Sequence, residues 1–147
     1  MFEHILVPTD GSSFCDKALD RAIELAADSH AELIALSVVP RYAINYFDGV
    51  VPFSPEEIAN GEAGTVNAAQ DKLQAVVARA EARGVTMKTA VSVADGVAEA
   101  IIAAAAQNGC DLIVMASHRR SGFAKLLIGS DTDQVLAHSK VPVLVIR

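Results

Sequence analysis

Ile5-Leu6-Val7-Pro8-Thr9-Asp10-Gly11-Ser12-Ser13 passes from an apolar strand through a turn to a helix start. Ile5 to Pro8 suits a short buried strand, stopped by Pro8 and the turn-forming Asp10-Gly11. Ser12 or Ser13 is placed to cap the following helix, and Ser13 with Asp16 approximates a capping box. Ala18, Leu19, Ala22, Ile23, Leu25 and Ala26 then recur at helical spacing, so the helix has one face to bury. A buried strand feeding an amphipathic helix is the unit from which parallel α/β sheets are built.

Outward from that unit the alternation continues. Glu32 to Val39 is a second strand, dense in Leu, Ile and Val, and it ends at Pro40. A loop to Phe53 carries Tyr42, Tyr46, Phe47 and Phe53, which either cover a ligand by stacking or pack over the sheet or a subunit contact. Ser54-Pro55-Glu56-Glu57 supplies an N-cap, a proline at N1 and a glutamate at N3. This helix is expected to reach Arg83 and close at Gly84, with Gly61 and Gly64 weakening or breaking its first third. Val85 to Val93 alternates polar and apolar residues, as an edge strand with one wet face would. Asp95-Gly96 turns into an alanine-rich helix ending near Asn108-Gly109. Asp111 to Ala116 is the most apolar strand and is expected to be central. A loop from Ser117 to Gly129, with a helical turn around Phe123 to Leu127, leads to a short helix capped at Ser130-Asp131-Thr132-Asp133. Val141 to Ile146 is the closing strand. The order β-α-β-α-β-α-β-α-β predicts parallel strands, right-handed crossovers and helices on both faces. With no linker, repeat or low-complexity segment, residues 1–147 are expected to form one domain.

Composition narrows the function classes. A chain of 147 residues, 52% of them apolar, can build one good core without disulfides. The net charge of −6 argues against broad nucleic-acid or membrane-surface binding. No apolar stretch approaches the roughly 20 residues of a membrane span. Met1-Phe2-Glu3-His4 lacks the basic and apolar regions of a signal peptide, so a cytoplasmic protein is expected. Cys15 and Cys110 have no CxxC partner and read as reduced thiols. His4, His30, His118 and His138 are scattered, form no metal-ligand set and read as surface or cap residues. Ser117-His118 with Asp10 lacks the Gly-x-Ser-x-Gly elbow of a hydrolase, so no enzyme is expected beyond slow ATP hydrolysis.

In such sheets ligands sit beyond the carboxyl ends of the strands, where strand order reverses. After the first strand, Asp10 either accepts a hydrogen bond from a base or ribose, or satisfies N–H groups of its own turn. After the fourth, Gly129-Ser130 opens a helix whose free N–H groups and dipole favour an anion. Ser130 either donates to a phosphate or forms a capping box with Asp133. No acid lies between Asp111 and Asp131, whereas His118, Arg119, Arg120 and Lys125 do.

These segments resemble the universal stress proteins. The resemblance rests on Ile5-Leu6-Val7-Pro8-Thr9-Asp10-Gly11-Ser12, on Asp111 through His118, on Leu126-Leu127-Ile128-Gly129-Ser130, and on Val135-Leu136 through Val145. It implies a five-stranded parallel, Rossmann-like sheet of the adenine nucleotide alpha hydrolase type, in order 3-2-1-4-5. It also implies a role in stress responses and a homodimer, often formed through the final strands. Many members bind ATP through Gly-x-x-Gly, nine residues and Gly-Ser/Thr; others lack the pattern and bind none. Carried over, the adenine end of ATP or AMP, with Mg²⁺, would meet Pro8, Thr9, Asp10, Val38 and Met115. The phosphate end would meet Ala116, Arg119, Gly129, Ser130 and Thr132.

The sequence departs from that pattern. Ala116 and Arg119 replace the first two glycines, and Asp131 occupies a usually apolar position. A carboxylate about 4 Å from a phosphate charge costs on the order of 4 kcal/mol at an effective dielectric near 20. That is roughly three decades of affinity. Arg119 can offset it by pairing with Asp131 or by forking onto the phosphates. Two readings follow: a nucleotide-binding sensor, or a stress protein without nucleotide that acts through dimerisation and protein contacts.

Overall fold

The structure is a computed structural model, and it describes residues 1–41, 54–117 and 130–147. Along them run β1 (His4–Pro8), α1 (Ser13–Ser29), β2 (Glu32–Val39), α2 (Pro55–Glu81), β3 (Met87–Val93), α3 (Val97–Gln107), β4 (Leu112–Ala116), α4 (Ser130–His138) and β5 (Val143–Ile146). The strands form one five-stranded sheet in the order β3-β2-β1-β4-β5. Every pairing is parallel, with Leu6 beside Ile34 on one side and Ile113 on the other.

Because strand side chains alternate in direction, each inner strand serves two cores. Ile5, Val7, Leu33, Ala35, Leu112 and Val114 pack with Leu19 and Ile23 of α1 and Leu73 and Val76 of α2. Leu6, Ile34, Leu36, Ile113 and Met115 pack with Ile101 of α3 and Val135 of α4. The sheet is therefore covered by α1 and α2 on one face and by α3 and α4 on the other.

Several local expectations are corrected. The central strand is β1, not β4; β4 is apolar because both of its faces are covered, and it lies next to the edge strand β5. Helix α2 runs unbroken through Gly61 and Gly64. Each glycine costs about 1 kcal/mol relative to alanine. Against that stand a reciprocal capping box, with Glu57 N donating to Ser54 Oγ at 3.2 Å and Ser54 N to Glu57 Oε2 at 2.6 Å, and the buried Ala69, Leu73, Val76 and Ala80. The Ser13–Asp16 capping box does not form. The N-cap is Ser12, its side chain makes no cap bond, and Asp16 accepts from Arg79 Nη1 of α2 at 2.8 Å. Arg79 also donates to Asp20, clamping α2 to α1. Strands β3 and β5 each begin two residues later than expected: Val85 N donates to Ala80 O at 3.0 Å, closing α2, instead of joining the sheet. The tip of the sheet away from the helix starts is pinned by Asp111, whose carboxylate accepts from Glu3 N and His4 N at 2.9 and 3.1 Å. Among the described residues no helix is long and apolar enough to cross a membrane.

Helices α1, α2 and α3 end on the same device, an N–H bonded five residues back: Ala31 to Ala26, Val85 to Ala80 and Cys110 to Ala105. Each needs a left-handed residue, supplied by Gly84, Gly109 and, in α1, by His30 at φ 55°. A side chain there costs roughly 1–2 kcal/mol, partly offset by the greater freedom glycine has when unfolded. His30→Gly is accordingly expected to stabilise the protein by about 0.5–1 kcal/mol, raising Tm by a few degrees. Thermal unfolding followed by circular dichroism reads this directly; a lower Tm would mean the imidazole holds something the left-handed cap does not explain.

Candidate functional site

β1 hands the chain through α1 to β2 on one side and lies against β4 on the other, so the strand order reverses between β1 and β4. The helices leaving those two strands depart to opposite faces and open a crevice at the carboxyl ends. A cavity of about 240 Å³ lies there. Its walls are Pro8, Thr9 and Asp10 after β1, Cys15 in the first turn of α1, Leu36 and Val38 of β2, and Met115 and Ala116 of β4. Val97 and Ile101 of α3 and Asp131 and Thr132 of α4 complete it. A larger hollow of about 480 Å³ between α1 and the chain's end is lined by Lys17, Asp20, Arg21, Glu24, Ile146 and Arg147, where Arg21 already pairs with Glu24 at 2.7 Å.

The turn after β1 is held by its own atoms. Thr9 N donates to Leu36 O at 2.8 Å, and Gly11 N to Thr9 Oγ1 at 3.1 Å. Asp10 Oδ1 accepts from Ser12 N at 2.8 Å and from Cys15 Sγ at 3.2 Å. The turn-satisfying reading of Asp10 thus holds, while the residue still borders the cavity. Gly11 sits at φ 77°, and a Cβ there would come within 2.9 Å of the Lys72 side chain. On the facing wall Thr132, 5% exposed, directs its hydroxyl at the Ala116 carbonyl at 3.5 Å, the outer limit of a hydrogen bond. Asp131 is exposed and stands in the first turn of α4.

Both thiols are free. Burial, reinforced by the Asp10 carboxylate, raises the Cys15 pKa, so the thiol stays protonated as a donor to Asp10. Cys110, before β4 at the opposite end of the sheet, is pushed up to about 11 by burial and then by Asp111 and Glu32. No group of three His, Cys, Asp or Glu able to hold a metal ion occurs among the described residues.

Seven residues expected at the site, Pro8, Thr9, Asp10, Val38, Met115, Ala116 and Thr132, line this one cavity. Ser130 begins α4, and its side chain lies outside what is described; so do Arg119, Gly129, the basic run from His118 and the aromatic loop of Tyr42 to Phe53. Sequence reasoning did not place Cys15, Leu36, Val97 or Ile101 here, and met Asp131 only as an obstacle to phosphate. A signal for α3 existed. A helix returning from β3 to β4 must cross over β2 and β1, so its first apolar residues, Val97 and Ile101, pass above the crevice.

A family model described as the universal stress protein family matches residues 1–147. The chain belongs to the universal stress protein family. Universal stress protein YxiE of Bacillus subtilis is 32% identical over 150 residues, covering 100% of both chains. Among solved structures, MJ0577 of Methanocaldococcus jannaschii superposes with a TM-score of 0.81 at 28% identity, covering 99% of this chain and 96% of that one. A universal stress protein in complex with cAMP superposes with a TM-score of 0.69 at 25% identity, covering 99% and 97%. The 3-2-1-4-5 sheet implied by the resemblance is the one found.

Proposed function

We propose that this chain is a regulatory universal stress protein that binds an adenine nucleotide at the carboxyl edge of its sheet and performs no chemistry beyond, at most, slow ATP hydrolysis. The observation that carries the reading is the cavity between β1 and β4. It has an apolar side of Leu36, Val38, Ile101 and Met115 suited to a flat base, and polar groups at Thr9 and Asp10 suited to orient it. The cAMP complex of a relative supports an adenine compound as the ligand class. Pro8, Thr9, Asp10, Val38 and Met115 would surround the base and sugar; Ala116, Ser130 and Thr132, with Arg119 and Gly129, would face the phosphates, Mg²⁺ accompanying a triphosphate. In this reading residues 1–147 act as one domain in the cytoplasm. They pair as a homodimer through β5, which borders only β4 among the described strands and leaves Leu144 38% exposed.

The test is direct. Purified protein is heat-denatured and the supernatant analysed for adenine nucleotide, and a separate native sample freed of nucleotide is titrated with AMP and with ATP plus Mg²⁺. Ligand at 100 times its Kd stabilises by about 2.7 kcal/mol, which for a chain of this length is a Tm rise of roughly 5–10 °C. No bound nucleotide and no shift with either ligand would leave the other reading, a stress protein acting through dimerisation and protein contacts. That reading draws on Asp131, a fixed negative charge where a phosphate would approach α4.

A further inference from the structure

We infer that the hollow between α3, the end of α4 and the lead into β5 is a second ligand site, shaped for a straight-chain carboxylate; it does not depend on the adenine reading above.

The hollow has a volume of about 390 Å³, within the range of small-molecule sites. Its floor is apolar, made by Ile102, Ala103 and Ala106 of α3 and by Val141 before β5. Ala103 and Ala106 are exposed and short, so a ligand reaches the floor without moving the core. From Glu99 to Ala106 the helix rises roughly 10 Å, at about 1.5 Å per residue. An all-staggered chain of about eight carbons, with bonds of about 1.5 Å, spans the same distance.

Charge fixes the ligand's polarity. At the start of α3, Glu99 folds its carboxylate over the Gly96 α-carbon, where a Cβ would collide with it, so this charge serves the helix N-terminus. At the other end of the hollow stand His138 and Lys140. Among the described residues Lys140 finds no acidic partner. The carboxyl ends of two helices would ordinarily repel an anion there. Here their carbonyls are covered. Ala104, Ala105 and Ala106 O accept from Asn108, Cys110 and Gly109 N, and Val135 O accepts from Ser139 N. His138 Nδ1 lies 3.0 Å from Gln134 O and closes the last turn of α4. An apolar strip therefore ends on an unpaired cation. A neutral lipid would leave Lys140 without a partner, and a sugar phosphate would leave the strip wet. A carboxylate on an alkyl chain satisfies both.

Amide NMR titration of the purified full chain with butanoate, octanoate, dodecanoate and octan-1-ol tests the inference. Each half-buried methylene contributes roughly a factor of two, so octanoate should bind about tenfold more tightly than butanoate. Dodecanoate should gain at most about twofold more, because the strip ends. Octan-1-ol should bind about fivefold more weakly than octanoate, and Lys140→Gln should remove that difference. Ala103→Trp fills the floor and should cost octanoate at least about tenfold, with Tm by circular dichroism within a few degrees of the parent. The shifted amides should be those of Ala103, Ala106, Lys140 and Val141. No binding of octanoate, equal affinity for octan-1-ol, affinity still climbing to dodecanoate, a folded Ala103→Trp protein with unchanged affinity, or shifts at Thr9 and Met115 instead would each overturn the site. The adenine reading stands or falls by its own titration.

Discussion

Val97→Trp is expected to weaken binding of adenosine or AMP about 100-fold while leaving the fold intact. Val97 is the first residue of α3 and is 37% exposed, so an indole there invades no packed layer. Helix α3 remains anchored by Ile101, Ala104 and Ala105, and the change in stability should stay within about 0.5 kcal/mol. The indole has an apolar hollow beside it, bordered by Leu36, Val38, Ile101 and Met115. Burying it there is worth on the order of 2–3 kcal/mol, which a ligand must then spend to expel it. At 1.4 kcal/mol per decade this is about two decades of affinity. The chain has no tryptophan of its own, so emission from the new residue reports its surroundings without interference. A blue-shifted emission together with reduced affinity fits the assignment. The same blue shift with full affinity would mean that the ligand binds somewhere other than this cavity.

The cavity at position 97 also marks where the sequence could and could not be read. Strand and helix alternation, and hence the parallel sheet, followed from apolar period and turn chemistry, because each of those signals is local. Strand order did not. Alternation permits several orders, and 3-2-1-4-5 rested on the family resemblance. Hydropathy showed that Leu112 to Met115 is covered on both faces, yet coverage does not say which strand is central. Asp10 was legible because it stands just after the end of β1, whereas Thr132, in the first turn of α4, rested on the family resemblance. Val97 and Ile101 were not, because their place above the crevice depends on α3 crossing two strands on its way back to β4. Cys15 was hidden by the same limit: only the curl of the Asp10 turn brings its sulfur to 3.2 Å from that carboxylate. The missing capping box at Ser13 has a non-local cause too, since the competitor for Asp16 is Arg79, 63 residues away.

The fold that holds this cavity open should be most sensitive at Ile113, where truncation to alanine is expected to cost about 3–4 kcal/mol. Ile113 is fully buried, lies between Leu6 of β1 and Val143 of β5, and belongs to the layer formed with Ile101 of α3 and Val135 of α4. Its side chain thus sits where two strands and two helices meet, and strands held by ladder bonds on both sides cannot slide inward to fill a hole. A cavity left in such a place collapses little, which puts the cost in the upper part of the usual range. For a chain of this length Tm should fall by roughly 6–16 °C. In urea the midpoint should drop with the slope unchanged, since the surface exposed on unfolding is nearly the same. A loss below about 1 kcal/mol would show that the α3–α4 layer closes around the missing atoms, and such a layer would be too pliant to keep the neighbouring cavity at its present shape. A large loss with an unchanged slope instead identifies β4 as rigid at Ile113, two residues before Met115, which lines the cavity.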